Sequence, residues 1–359
     1  MIRTRAVLSI AALSVMTLPL SAESISVMSW GGAYSKSQLE AYNKPFTAAT
    51  GITVDMLDSD NPATPLRAMV EAKNVTIDVA DVEYPDAVRL CDEGLIDPID
   101  PAILPAAPDG TPATDDFLPS GLADCAVGSI VFSTIYAYDE TKFTDPPTTI
   151  ADFFDTAKFP GKRGVKRTAK AILEMALMGD GVAPNQVYEV LSTPEGVDRA
   201  FAKLDTIKGD IVWWEAGAQP PQLLSDGEVA MTIAYNGRIF AAAVTEGKPF
   251  KMVWDGQVYE YNLFVIPKGA PNKANAEKYI AFATGTQPLA DQTKWISYGP
   301  ARKSSMALVG LYEDGKTEMA PNLPTAEGNM TKALASSNEF WVDHEAELFE
   351  RFNAWLASN

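Results

Sequence analysis

The chain has 359 residues, with 29 Lys or Arg against 47 Asp or Glu, one His and two Cys. A surface this acidic repels nucleic acid, and one His with two cysteines offers no metal-ligand spacing. The length suits two lobes rather than one core, while the charge serves solubility as readily as capture of a cation.

The amino terminus reads Met1-Ile2-Arg3-Thr4-Arg5, runs apolar from Ala6 to Leu20 and exits through Ser21-Ala22-Glu23. A basic tip, a short apolar core and a small-residue exit predict a secretory signal peptide over 1–22. The run falls short of the ~20 apolar residues a spanning helix needs, and no cysteine sits at the exit for a lipid anchor. The mature chain is therefore expected in the periplasm. Without Arg3 and Arg5 it keeps 27 basic residues against 47 acidic, a net of −20. In that oxidising compartment Cys91 and Cys125 are expected to form a disulfide closing 34 residues, two separate buried thiols being the alternative.

From Ile25 to Ser29 the period of two predicts a strand, followed by the Gly31-Gly32 turn. Ser35 to Gln38 has capping-box spacing, and Leu39, Tyr42, Phe46 and Ala49 recur at helical intervals up to Gly51. Strands are expected over Ile52–Val54 and Ile77–Val82, with a helix over Pro65–Lys73 and another holding Cys91. Residues 98 to 119 read as an irregular excursion, and Ser129–Tyr138 as a long strand crossing between lobes. Helices follow from Thr149, over Ala169–Met178 and over Pro194–Lys208, where Thr193 is the cap and Pro194 the first helical residue. Further strands are expected over Ile211–Trp214, Val229–Ala234 and Asn262–Pro267, then helices over Asn275–Thr284 and from Ser337. This alternation implies an α/β fold, parallel-rich sheets flanked by helices, with ligand in a cleft at the carboxyl ends of the strands. The lobes are expected to be discontinuous: 23–132 plus 256–305 for the first, 133–255 plus 306–359 for the second.

Aromatic rings, carboxylate, amide and guanidinium cluster in Trp213-Trp214-Glu215-Ala216-Gly217-Ala218-Gln219 and Tyr235-Asn236-Gly237-Arg238. Such groups grip a small charged solute and are poor equipment for catalysis. Trp30 and Tyr34 flank a double-glycine turn, a loop placement that favours ligand contact over core packing. Trp213 and Trp214 are consecutive on a strand, so they face opposite ways and one of them, taken as Trp214, faces solute. Glu215 is either an ammonium ligand or a helix cap, and the amides after Gly217, with Gln219 beside them, suit a carboxylate. Arg238 either holds a ligand carboxylate or pairs with a structural one. Glu83 and Glu260 are the remaining candidates for an amine. Lys162, Arg163, Lys166 and Arg167 read as a solvated basic face, and His344 as an ordinary helix residue. No nucleophile elbow or metal motif is visible, so no enzyme and no cofactor is expected.

With Ser29-Trp30-Gly31-Gly32-Ala33-Tyr34 after the first strand, Trp213 to Pro221, and Tyr235-Asn236-Gly237-Arg238 ahead of Asn262 to Pro267, the chain resembles the periplasmic solute-binding receptors of ABC importers. Within them it is similar to the spermidine/putrescine-binding group, over nearly the whole mature chain. The resemblance implies a two-lobed periplasmic binding protein fold of type II and closure over solute by hinge motion. It also implies delivery to an inner-membrane ABC permease and a monomeric state. It places ligand contacts at Trp30, Tyr34, Glu83, Tyr84, Tyr235, Glu260, Asn262 and Tyr298. The departures bear on the ligand. Asn262 stands where that group has an aspartate, the turn before the Ala169 helix is basic rather than acidic, and Arg238 adds a cation. A polyamine is the first expectation; a zwitterionic ω-amino acid such as 4-aminobutyrate, with its carboxylate on Arg238, is the second. Fe(III) capture by Tyr259 and Tyr261 ranks below both.

Overall fold

The computed structural model describes residues 23–358, so the leader expected over 1–22 lies outside the described residues. Eight strands form the spine of one continuous hydrogen-bonded sheet: β1 (Ser24–Ser29), β2 (Thr53–Asp58), β3 (Val79–Glu83), β4 (Ala126–Asp139), β5 (Arg163–Lys166), β6 (Ile211–Trp214), β7 (Met231–Tyr235) and β8 (Phe250–Val265). Their spatial order is β2-β1-β3-β8-β4-β7-β5-β6. At one end β1 runs parallel to β2 and β3; at the other β5 runs parallel to β6 and β7. Between these parallel blocks lies the long antiparallel pair β4–β8, joined to them by β3 and β7. The result is the two-lobed α/β fold of type II, with β4 and β8 belonging to both halves.

That central pair is broken where the halves meet. Thr134 pairs with Val258, yet Tyr136 pairs with Val253, so β8 carries extra residues there. Gly256 supplies the bend with φ +76°, a region a side chain rarely tolerates. The sequence-based strand over Asn262–Pro267 caught only the far end of this 16-residue strand, because the glycine reads as a breaker.

The helices that bear on the site are α1 (Gly32–Gln38), α2 (Tyr84–Asp92), α3 (Ile172–Gly179), α4 (Gln219–Ser225), α5 (Asn236–Phe240) and α6 (Asn338–Ala357). Helix α1 begins three residues before the expected cap. Ser35 Oγ instead accepts from the Gly31 amide at 2.9 Å and donates to Asp58 at 2.7 Å. Elsewhere the capping signals act as read. Thr193 Oγ1 accepts from Gly196 N at 3.0 Å, and Ser337 opens α6 by accepting from Phe340 N. Cores fill each half: Ile25, Val27, Tyr42, Phe46 and Phe264 in one, Phe153, Leu173, Phe201 and Met231 in the other. Helix α6 seals the second with Phe340, Trp341, Leu348 and Phe352; truncating one such buried aromatic costs ~3–5 kcal/mol. Cys91 of α2 is bonded to Cys125 just before β4, with Cα atoms 5.9 Å apart. Among the described residues no helix is long and apolar enough to cross a membrane.

Candidate functional site

The carboxyl ends of β1, β3, β5, β6 and β7 converge on one cleft. Trp30, Tyr34, Glu83, Glu215, Tyr235, Arg238, Asn262 and Tyr298 all line it, as do Ile130 and Phe132. Trp214 and Glu260 line a second, adjoining space that shares Trp30, Glu83, Lys166 and Tyr235 with the first. Two expected contacts lie elsewhere. Tyr84 opens α2 and packs against the core around Leu90 and Val82. Gln219 staples its own loop, its Oε1 accepting from the Glu215 and Ala216 amides at 2.8 and 2.7 Å. Tyr259 and Tyr261 alternate with Glu260 on β8 and line neither space, which removes the geometric ground for iron capture.

The walls are aromatic. Tyr34 and Phe132 pack against Tyr298 with ring centres 5.5 and 6.2 Å apart, and Tyr235 stands edge-on to Phe132 and Trp214 at 5.5 and 5.9 Å. Trp213 points the other way, into Phe352 and Trp355 of α6. The Gly31-Gly32 turn, with φ +72° and +57°, lets the backbone pass close to Arg238; a Cβ on Gly32 would come within 2.5 Å of the guanidinium. Gly237 does the same for Tyr298, where a Cβ would lie 2.5 Å from the ring.

Beneath the aromatic wall Asp81 organises the first half. Its carboxylate accepts from Tyr34 Oη, Gln38 Nε2 and Asn262 Nδ2, each at 2.7 Å, and from Ser129 Oγ at 3.3 Å. Burial pushes its pKa up to about 7 in spite of these donors. Asp81 thus holds Tyr34 and Asn262 in place and leaves Asn262 Oδ1 buried and unpartnered beside the cleft. The sequence carried one signal for it, an aspartate inside the apolar run Val79-Ala80-Asp81-Val82.

Charge is distributed in pairs. Lys170 Nζ donates to Glu83 Oε2 at 2.9 Å and pairs with Glu260. Arg89 pairs with Asp86 at 2.6 Å and with Glu345, and Arg167 meets the exposed Glu215 at 3.5 Å. Two cations stand outside these pairs. Lys166 Nζ donates to Tyr235 Oη at 2.5 Å. Arg238 Nη2 donates to the carbonyls of Trp30 and Gly31 at 3.3 and 3.1 Å, and its Nε is buried without a partner. Neither forms an ion pair among the described residues, which answers the alternative of a structural carboxylate for Arg238. Burial would lower the Lys166 and Lys170 pKa values. Tyr235 with Glu83 raises the first, Glu260 with Glu83 raises the second, and both ammoniums stay charged. For Glu83, burial would raise the pKa, but Lys170 and Lys166 overcome it and hold it below the ordinary value.

The basic stretch expected as a solvated face is therefore divided. Lys162 and Arg167 are exposed. Arg163 is fully buried, donating to the carbonyls of Phe153, Phe159 and Gly161. Lys166, at the carboxyl end of β5, reaches the cleft. The stretch is an interior strand, and alternation sends its side chains to opposite faces. In all, six carboxylates (Asp60, Glu83, Asp86, Glu215, Glu260, Glu345) and five cations (Arg89, Lys166, Arg167, Lys170, Arg238) line the two spaces. So even a balance suits a ligand of little net charge.

Residues 41–325 match the family model for bacterial extracellular solute-binding proteins. A gamma-aminobutyric acid-binding protein of Pseudomonas aeruginosa is 46% identical over 335 residues, 93% of this chain and 91% of that protein. A solved GABA receptor is 33% identical with a TM-score of 0.79, covering 94% of this chain and 98% of its own. The spermidine/putrescine transporter substrate-binding protein of Streptococcus pneumoniae matches at a TM-score of 0.70, covering 93% of this chain and 99% of its own, and at 17% identity the likeness is one of fold.

Proposed function

The chain belongs to the bacterial extracellular solute-binding proteins, the solute-capturing components of ABC transporters, and from that premise we propose that its cleft takes a zwitterionic ω-amino acid such as 4-aminobutyrate. The observation that carries this reading is Arg238, a half-buried guanidinium in the cleft with no carboxylate partner among the described residues and a buried, unpartnered Nε. A ligand carboxylate is the group that would complete it, with the unpartnered Trp30 Nε1–H as a further donor. Ile130 and Phe132 would take the methylene chain. The ammonium would lie toward Asp60 and the second oxygen of Glu83, under the aromatic faces, where a cation–π contact adds ~1–2 kcal/mol. The names of the two gamma-aminobutyric acid relatives support the same class of solute.

A polyamine is the second reading. Its support is the Glu83–Glu260 carboxylate pair, and that pair already holds Lys170. Arg238 also opposes it: a like charge at ~4 Å costs about 4 kcal/mol at an effective dielectric of 20. The lobes would close about the irregular stretch of β4–β8 near Thr134 and Val253, ligand favouring the closed state by differential affinity. Thermal-shift titration of the mature protein with 4-aminobutyrate, butyrate, putrescine and spermidine tests the proposal. A shift with 4-aminobutyrate well above the others is expected; a larger shift with putrescine or spermidine would overturn it.

A further inference from the structure

We propose that Lys170 is the residue that keeps diamines out of this cleft: its ammonium occupies, from within the chain, the carboxylate pair that a second ligand ammonium would need. The inference rests on the reading of the adjoining site as one for a single ammonium and a carboxylate. Glu83 ends β3 and lies opposite Asn262 of β8, and Glu260 follows two residues along on the same face of that strand. Two carboxylates so placed, Glu260 buried and Glu83 partly so, oppose each other's ionisation unless a cation stands between them. Lys170 is that cation, 8% exposed and bonded to both. It arrives from the other half of the molecule, on the turn into α3, where Ala171 holds φ +65°, a left-handed conformation costly for any residue with a Cβ. The backbone is thus set to aim this side chain across the cleft.

The space around the pair opens into the proposed ligand site through Glu83 and Lys166, which line both. A chain anchored there by one ammonium and carrying a second could seat that second ammonium between Glu83 and Glu260 only by displacing Lys170. Removing the lysine therefore turns the pair into an empty half-site for an alkylammonium, and its chemistry changes from repelling a second cation to requiring one.

The test is calorimetric and thermal titration of wild type, Lys170→Ala and the charge-balanced Lys170→Ala/Glu260→Gln protein with putrescine, 4-aminobutyrate and methylammonium chloride. Lys170→Ala is expected to bind putrescine at least about tenfold more tightly than wild type does. Its melting temperature should rise in methylammonium chloride but not in sodium chloride, whereas wild type and the double variant should respond alike to both salts. A folded Lys170→Ala protein with no gain in putrescine affinity overturns the proposal. So does a variant that stays unfolded in both salts. The two readings separate cleanly. Wild type binding 4-aminobutyrate while Lys170→Ala gains nothing sinks the role of Lys170 alone. Wild type ignoring 4-aminobutyrate while Lys170→Ala gains putrescine sinks the ω-amino acid reading alone.

Discussion

Replacing Arg238 by alanine should weaken 4-aminobutyrate by roughly two powers of ten. The guanidinium is half-buried, forms no ion pair among the described residues, and spends one nitrogen on the Trp30 and Gly31 carbonyls at 3.3 and 3.1 Å. A carboxylate at ~4 Å gains about 4 kcal/mol at an effective dielectric of 20. Desolvating both ions takes back part of this, leaving ~2–3 kcal/mol, or roughly 30- to 150-fold at 1.4 kcal/mol per decade. Arg238→Lys keeps the charge but loses the planar fork and should fall between. Isothermal titration with 4-aminobutyrate reads the loss, and butan-1-amine, which lacks the carboxylate, is the control. Its affinity should hold or improve in Arg238→Ala, because a like charge has gone. An alanine variant that binds 4-aminobutyrate within about twofold of wild type would refute the assignment. Equal loss for both ligands would mean that Arg238 acts only by fixing the Trp30–Gly31 turn.

Three further outcomes follow from the same geometry. Cys91→Ser with Cys125→Ser should lower stability in urea by ~3–4 kcal/mol, the chain-entropy value for a loop of this length; an unchanged midpoint would show the bond to be dispensable. Asp81 and Glu174 are each raised by burial to about 7 from 3.8 and 4.5, so the folded state holds protons that the unfolded state releases. Stability should therefore fall as pH rises between those values, by up to about 1.4 kcal/mol per unit and per group. Asp81→Asn and Glu174→Gln should each remove one share of that slope relative to wild type, and variants whose urea midpoints run parallel to wild type from acid to neutral pH contradict the scheme. Gly237→Ala places a Cβ 2.5 Å from the Tyr298 ring, an overpacking worth ~1–3 kcal/mol. It should lower 4-aminobutyrate affinity by displacing Tyr298, and unaltered affinity would remove Tyr298 from the cleft wall.

Much of the architecture was legible because its signals are local. The Gly31-Gly32 turn, the Thr193-Pro194 start, the Ser337 cap and the crossing strand around Ser129–Tyr138 each announce themselves within a few residues, and the structure has an element at each. What stayed hidden depends on which distant segments meet. Lys166 looks like a solvated cation on a basic stretch, and Lys170 carries no signal of its own, until β5 and the turn into α3 bring them against Tyr235, Glu83 and Glu260. Asp81 showed only as an odd residue in a buried strand, since its four donors come from α1, β4 and β8. The first 12 residues of β8 were missed because Gly256 breaks the pattern where the sheet itself bends. The ligand class suffered from the same blindness. Glu83 and Glu260 invite a diamine until Lys170 is seen between them.

A crystal structure of the mature protein with 4-aminobutyrate would test the central claim most directly. The expected density places the ligand carboxylate within ~3 Å of the Arg238 guanidinium, with its ammonium toward Glu83 and Asp60 and its methylenes over Phe132. A ligand bound the other way round, or a cleft left empty while putrescine soaked alongside fills it, would contradict the assignment.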